Sequence, residues 1–186
     1  MKTGTKDEQM ERQIETPRVK VYQLEDDGTI PNNPELPLLI YQAAFDLNCL
    51  RSPLRIEEVL KQNGWSGTWR NGIYAYHHYH STAHEVLAVY DGSATVKMGG
   101  EHGVLLTIGA GDVLIIPAGV AHKNLESGSN FAVIGAYPVG QEWDMCYGKP
   151  GERPRADENI AKVPFPEADP VYGRQGPLLE YWKRDR

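Results

Sequence analysis

The fold is decided by one stretch, Gly72-Ile73-Tyr74-Ala75-Tyr76-His77-His78-Tyr79-His80-Ser81-Thr82-Ala83-His84-Glu85-Val86-Leu87-Ala88-Val89-Tyr90-Asp91-Gly92. Four of the chain's six histidines lie in it within eight residues of one another. Gly72 to His80 and Glu85 to Tyr90 are both predicted as strands. Side chains alternate along a strand, so His78 and His80 share a face with Tyr74 and Tyr76, while His77 and Tyr79 point the other way. Two neighbouring imidazoles facing inward need something that uses their lone pairs, and a divalent metal is the economical answer. Simple parity puts His84 on that face and Glu85 on the other. A turn or bulge at Ser81-Thr82-Ala83 would return Glu85 to it. Val86 to Tyr90 is apolar at nearly every position, which leaves the register open.

Outward from this stretch the pattern stays β. Ala94 to Met98, Val104 to Ile108, Asp112 to Ile116 and Phe131 to Tyr137 read as strands. They are punctuated by Asp91-Gly92, Gly99-Gly100, Gly109-Ala110-Gly111 and Ser127-Gly128-Ser129. Short strands at such intervals indicate an antiparallel sandwich or barrel. In Gly111-Asp112-Val113-Leu114-Ile115-Ile116-Pro117-Ala118-Gly119-Val120-Ala121-His122, a strand runs into a Pro-x-Gly turn that can fold His122 against the first histidine strand. Upstream, Val19 to Tyr22 alternates as a half-buried strand, and Leu38 to Phe45 is a short apolar run. Ser52-Pro53 opens the one clear helix, with Ile56, Val59 and Leu60 on one face and Asn63-Gly64 as its stop. Residues 1–16 are too polar to offset chain entropy and read as a disordered leader. Residues 149–177 read as a Pro/Gly-rich tail that wraps, in irregular structure, a domain spanning 17–186.

The chain has 186 residues, 40% apolar and 24% charged, enough for one domain with a core. Its 19 glycines and 13 prolines favour a turn-rich β protein. A formal net charge of −6 argues against a nucleic-acid partner. No apolar run is long enough for a membrane span, and Met1 to Glu15 lacks a secretory apolar region. Cys49 and Cys146 then read as reduced thiols of a cytoplasmic protein.

Gly72, His78, His80, Glu85 and Gly92 match the first cupin motif, G-x5-H-x-H-x4-E-x6-G. Gly111, Pro117, Gly119 and His122 match most of the second, G-x5-P-x-G-x2-H, with Glu126 where the family has Asn. The chain resembles the cupins, and more closely their bacterial YjlB type. That closer likeness rests on Pro31-Asn32-Asn33-Pro34, Asn63-Gly64-Trp65, His78 to Glu85 and Pro117 to Leu125. The resemblance implies an all-β, single-domain jelly roll with a short helix ahead of the metal strands. It also implies one divalent metal (Fe, Mn, Ni, Zn or Cu) on His78, His80, Glu85 and His122, and a homodimer. It implies no particular reaction.

The expected function is therefore a metal-dependent enzyme acting on a small polar molecule inside the barrel, by oxygenation, isomerisation or decarboxylation. His84 and Tyr76 are the candidates for moving protons, and His77 takes a structural role. Trp65, Trp69 and Trp143 default to core packing. A small-molecule sensing module and a metal-stiffened structural dimer are the alternatives.

Overall fold

The structure is a computed structural model that describes residues 18–50 and 52–183. The leader read at 1–16 and the side chain of Cys49 lie outside the described residues. Among those described, nine strands run in chain order: β1 (Arg18–Tyr22), β2 (Leu38–Gln42), β3 (Trp65–Asn71), β4 (Glu85–Asp91), β5 (Ser93–Met98), β6 (Val104–Gly109), β7 (Val113–Ile116), β8 (His122–Ser127) and β9 (Ala132–Pro138). The helices are α1 (Leu47–Leu50), α2 (Pro53–Gln62), α3 (Arg155–Ile160) and α4 (Leu178–Tyr181). None is long and apolar enough to cross a membrane.

The strands form two antiparallel sheets, one in the order β1-β2-β7-β4-β9-β3 and one in the order β6-β5-β8. Alternation along the central strands shows how the layers stack. Leu87 and Val89 of β4, with Leu114 and Ile116 of β7, pack against Ala94, Val96 and Met98 of β5, filling the space between the sheets. Val86 and Ala88 point the opposite way, into a second core with Ile56 and Leu60 of α2, Trp65, Leu178 and Trp182. β4 is therefore buried on both faces, which is why its sequence is apolar at nearly every position.

Helix α2 begins as its sequence expects. Ser52 is extended (φ −155°) and its Oγ accepts from the Leu54 N–H at 3.3 Å, with Pro53 at the first helical position. Ile56, Val59 and Leu60 face the core. Gly64 ends the helix at φ +79°, where glycine carries no Cβ penalty.

Two expectations need correction. The first histidine segment is not a strand from Gly72 to His80. The strand is β3, Trp65–Asn71, and residues 72–84 are irregular apart from isolated bridges at His78 and Tyr79. Aromatic and histidine side chains gave that segment an alternating look without a ladder to hold it. The tail from 149 to 177 is not wholly irregular, since α3 packs Ala156 and Ile160 inward. His122 opens β8 and bridges His78, so the turn does fold it against the histidine segment.

Candidate metal centre

Four side chains from three chain segments meet between the sheets. Glu85 is the first residue of β4, and it shares the inward face of Leu87 and Val89. His122 is the first residue of β8, paired with the inward-facing Met98 of β5. His78 and His80 come from the irregular segment. It is fastened to β8 by His78 N–H to His122 O (3.3 Å) and His122 N–H to His78 O (3.0 Å), and to the Pro-x-Gly turn by Gly119 N–H to His80 O (2.8 Å). All four are nearly inaccessible to solvent, with exposures of 1–5%. His80 Nε2 lies 3.5 Å and His122 Nε2 3.3 Å from the same carboxylate oxygen, Glu85 Oε2. The His78 and His122 rings are 4.0 Å apart between centroids.

The polar accounting identifies which lone pairs face the site. His78 Nδ1 sits 3.2 Å from the Tyr76 carbonyl, and His80 Nδ1 hydrogen-bonds the Asp144 carbonyl. A carbonyl oxygen only accepts, so both Nδ1 atoms carry a proton and both Nε2 atoms are left to face the site. Burial pushes the His78 and His122 pKa values down, His122 to about 3. Burial would raise Glu85, but the imidazoles of His80, His122 and His78 outweigh it and hold its carboxyl down to about 2. Burial also opposes charge on His80, yet the Glu85 carboxylate wins and raises it. Glu85 is thus ionised and buried, and its Oε2 has no hydrogen-bond partner.

Such an atom is costly to bury unless something positive satisfies it. Two donors each about 2.1 Å from one ion, at 90–110°, lie about 3.0–3.4 Å apart, close to the separations above. Three imidazole nitrogens and a carboxylate are also a ligand set that transition metals accept. Among the described residues, no three His, Cys, Asp or Glu side chains already form a complete ligand set around one point. The chemistry of the four donors is that of a divalent transition-metal ligand set, although their positions do not form a complete one.

The four also line a cavity of about 250 Å³, together with Tyr74 and Trp143, each about half exposed. Its walls are aromatic: Trp69, Tyr137 and Trp143, the last stacked on Tyr137 at 5.8 Å. Tyr137 OH accepts from Trp69 Nε1–H at 3.0 Å and faces Glu85, whose charge adds to burial in raising the phenol pKa. The cavity's cation, Arg70, is held by Glu57 at 2.7 Å. Sequence reasoning missed Tyr137, because nothing local in β9 marks it; only the pairing of β9 with β3 and β4 brings it there. Trp143, expected in the core, stands at the mouth instead.

The two nominated proton movers lie elsewhere. Tyr76 is 46% exposed and stacks on Tyr74 outside the cavity. His84 projects to the other side of the chain, against Trp182, where its Nδ1 accepts from the Ala118 N–H at 3.0 Å. It borders a separate cavity of about 460 Å³ that contains none of the four donors. The parity that favoured His84 failed because residues 81–84 turn instead of running extended. His77 faces outward, 3.1 Å from Glu101.

Over residues 68–133 the chain matches the family model described as "Cupin domain". It is also 43% identical, over 173 residues, to the "Uncharacterized protein YjlB" of Bacillus subtilis (strain 168), covering 93% of this chain and 99% of that one. The chain is a cupin of the YjlB type. Solved structures overlay this cupin only in part. Acireductone dioxygenase from Bacillus anthracis, with a cadmium ion in its active center, aligns at 16% identity and a TM-score of 0.39, over 54% of this chain and 66% of that one. Vicilin from tomato aligns at 14% and 0.37, over 60% and 29%. The epimerase RmlC from Legionella pneumophila aligns at 17% and 0.35, over 65% and 72%. The cupin spans less than two thirds of the dioxygenase and under a third of the vicilin.

Its one described free thiol, Cys146, is buried beside Asp144, and burial with that carboxylate pushes its pKa up to about 11. At pH 8 about one thiol in a thousand is then ionised. In a Cys49→Ala background, native Cys146 is expected to react with iodoacetamide at least 100-fold more slowly than the urea-unfolded chain. Equal rates would show that the thiol is not held as the structure places it.

Proposed function

We propose that this cupin is a metal-dependent enzyme: His78, His80, Glu85 and His122 hold one divalent transition metal, and a small polar molecule in the adjoining cavity is the substrate. The carrying observation is Glu85 Oε2, buried, charged and without a hydrogen bond, with two imidazole Nε2 atoms within 3.5 Å of it. A bound ion supplies Lewis-acid polarisation of a substrate oxygen, or a centre for oxygen chemistry. The protein's own groups supply the rest. Tyr137 OH, steadied by Trp69, stands where it can donate a hydrogen bond to a substrate oxygen beside Glu85. Trp143 and Tyr74 flank the entrance, so a ring or flat group seated between them keeps water from the donors. Oxygenation, isomerisation and decarboxylation are the reaction types within this reading.

We also propose a cytoplasmic homodimer. The tail is folded onto its own core through Leu178 and Trp182, which leaves β1 as the natural contact. β1 is an edge strand whose Val21 is 41% exposed, and pairing such edges is a common way to protect them.

The test is elemental analysis of protein purified without an affinity metal, followed by turnover assays on small oxygen-bearing compounds with and without the ion. Close to one ion per chain, with turnover lost on chelation and restored by the metal, is expected. Protein that takes up no Fe, Mn, Ni, Zn or Cu when each is supplied would overturn the metal reading. A full complement of metal without turnover would overturn the enzyme and leave a binder. Sedimentation at the mass of one chain would overturn the dimer.

A further inference from the structure

The histidine segment poses a mechanical problem. His78 and His80 must be held to a fraction of an ångström to act together, yet residues 72–84 have no ladder on either side beyond the bridges at His78 and Tyr79. Beyond the bonds to β8 and to the Pro-x-Gly turn, what holds them is the stretch after β9, residues 141–146, which runs alongside and bonds to much of this segment. Cys146 exchanges both backbone hydrogen bonds with Tyr79, at 2.9 Å each. Thr82 Oγ1 donates to the Glu142 carbonyl at 2.7 Å, and Gln141 Oε1 accepts from the His84 N–H at 2.9 Å.

At the centre is Asp144. Its Oδ1 accepts from the backbone N–H of Ser81 at 2.6 Å and of Thr82 at 3.3 Å, and its Oδ2 accepts from Ser81 Oγ at 2.5 Å. Its own N–H donates to Thr82 Oγ1 at 3.0 Å. Ser81 is completely buried, and its Oγ also accepts from Asn159 Nδ2 at 2.9 Å, which ties α3 into the same knot. The Asp144 carbonyl meanwhile accepts the His80 Nδ1–H. One residue thus grips the turn just after His80 with its side chain and fixes the His80 ring with its backbone.

We propose that Asp144 is the positioning residue for His80, selecting the tautomer and ring orientation that direct the Nε2 lone pair toward Glu85. This rests on the metal reading for its consequence but not for its mechanism, because the His80 tautomer is defined in the metal-free chain. A carboxylate suits the role because it accepts four donors with two oxygens, the fourth being Cys146 Sγ–H at 3.5 Å; an amide would turn an N–H toward one of them. Partners behind a ligand imidazole fix its tautomer in this way, and their loss weakens metal binding about 10–100-fold.

The experiment compares wild type, Asp144→Asn and Asp144→Ala by two readouts. Long-range ¹H–¹⁵N correlation spectra of metal-free protein report the His80 tautomer, and competition with a chelator reports Zn(II) affinity. At a pH above the raised His80 pKa, wild type is expected to show a single Nδ1–H tautomer at His80, and Asp144→Asn a mixture of tautomers with Zn(II) affinity at least 10-fold lower. Asp144→Ala exceeds that loss if it folds; Asp144→Asn alone decides if it does not. A folded Asp144→Asn with the wild-type His80 spectrum, or with unchanged Zn(II) affinity, would overturn the proposal even if its melting temperature fell. Should wild type bind no Zn(II), the metal reading fails separately, and the tautomer comparison alone decides the role of Asp144.

Discussion

Glu85→Gln is expected to leave purification with almost no bound metal and to bind Zn(II) or Mn(II) at least 100-fold more weakly than wild type. The amide keeps the shape of the side chain, so the cavity and the strand register of β4 are preserved. What it removes is the negative charge that His78, His80 and His122 share, and with it the orphaned Oε2. A lost ligand should cost more than the ~10–100-fold that loss of an outer partner costs. The change also separates binding from folding. An ion at 100 times its Kd stabilises the native state by about 2.7 kcal/mol, so a chelator should lower the wild-type melting temperature and leave that of Glu85→Gln unmoved. His84→Gln makes the contrast: its ring lies against Trp182, away from the donors, so metal content per folded chain should match wild type. Full metal occupancy in Glu85→Gln would remove the basis of the site.

That contrast also marks what the sequence could convey. The grouping of His78, His80, Glu85 and His122 was legible because their spacing matches the two cupin motifs, which are punctuated by turn residues. Gly119 is one such residue: its φ is +93°, and a Cβ there would collide with the Asn32 carbonyl. Strands β4 to β7 were legible because their apolar runs are cut by turn residues. The segment from Gly72 to His80 was misread, since alternating Tyr and His imitates a strand while the backbone is held by hydrogen bonds to residues 141–146 and to His122. Tyr137, Trp143 and Asp144 were out of reach for the same reason. Their roles come from pairings more than 50 residues apart in the chain, which no local pattern records.

The same long-range logic gives the second large effect, on stability instead of metal. Asp169→Ala is expected to destabilise the protein by about 3–5 kcal/mol, a large part of the ~5–15 kcal/mol typical of a domain. Asp169 is completely buried in what the sequence marks only as a Pro-rich tail. Its Oδ2 accepts from Tyr41 OH at 2.6 Å and from the Leu178 N–H at 3.0 Å, and its Oδ1 from the Val171 and Tyr172 N–H groups at 2.8 and 3.0 Å. Gly176 lies so close that a Cβ there would collide with the Asp169 side chain. Hydrogen bonds to a charged acceptor contribute about 1.5–3 kcal/mol each, and alanine leaves the buried Tyr41 hydroxyl and several N–H groups without partners. The tail then loosens from the face of the six-stranded sheet that Val171, Leu178 and Trp182 cover. Asp169→Asn, which keeps one acceptor oxygen, should lose less. Urea unfolding followed by tryptophan fluorescence measures both, and a loss below about 1 kcal/mol for Asp169→Ala would show the tail to be a passive cover. Because Val86 and Ala88 face this tail while Glu85 and Leu87 face the other sheet, metal content per folded chain should survive the substitution. A fall in metal content alongside stability would mean that the two faces of β4 are coupled, and that the tail takes part in shaping the site.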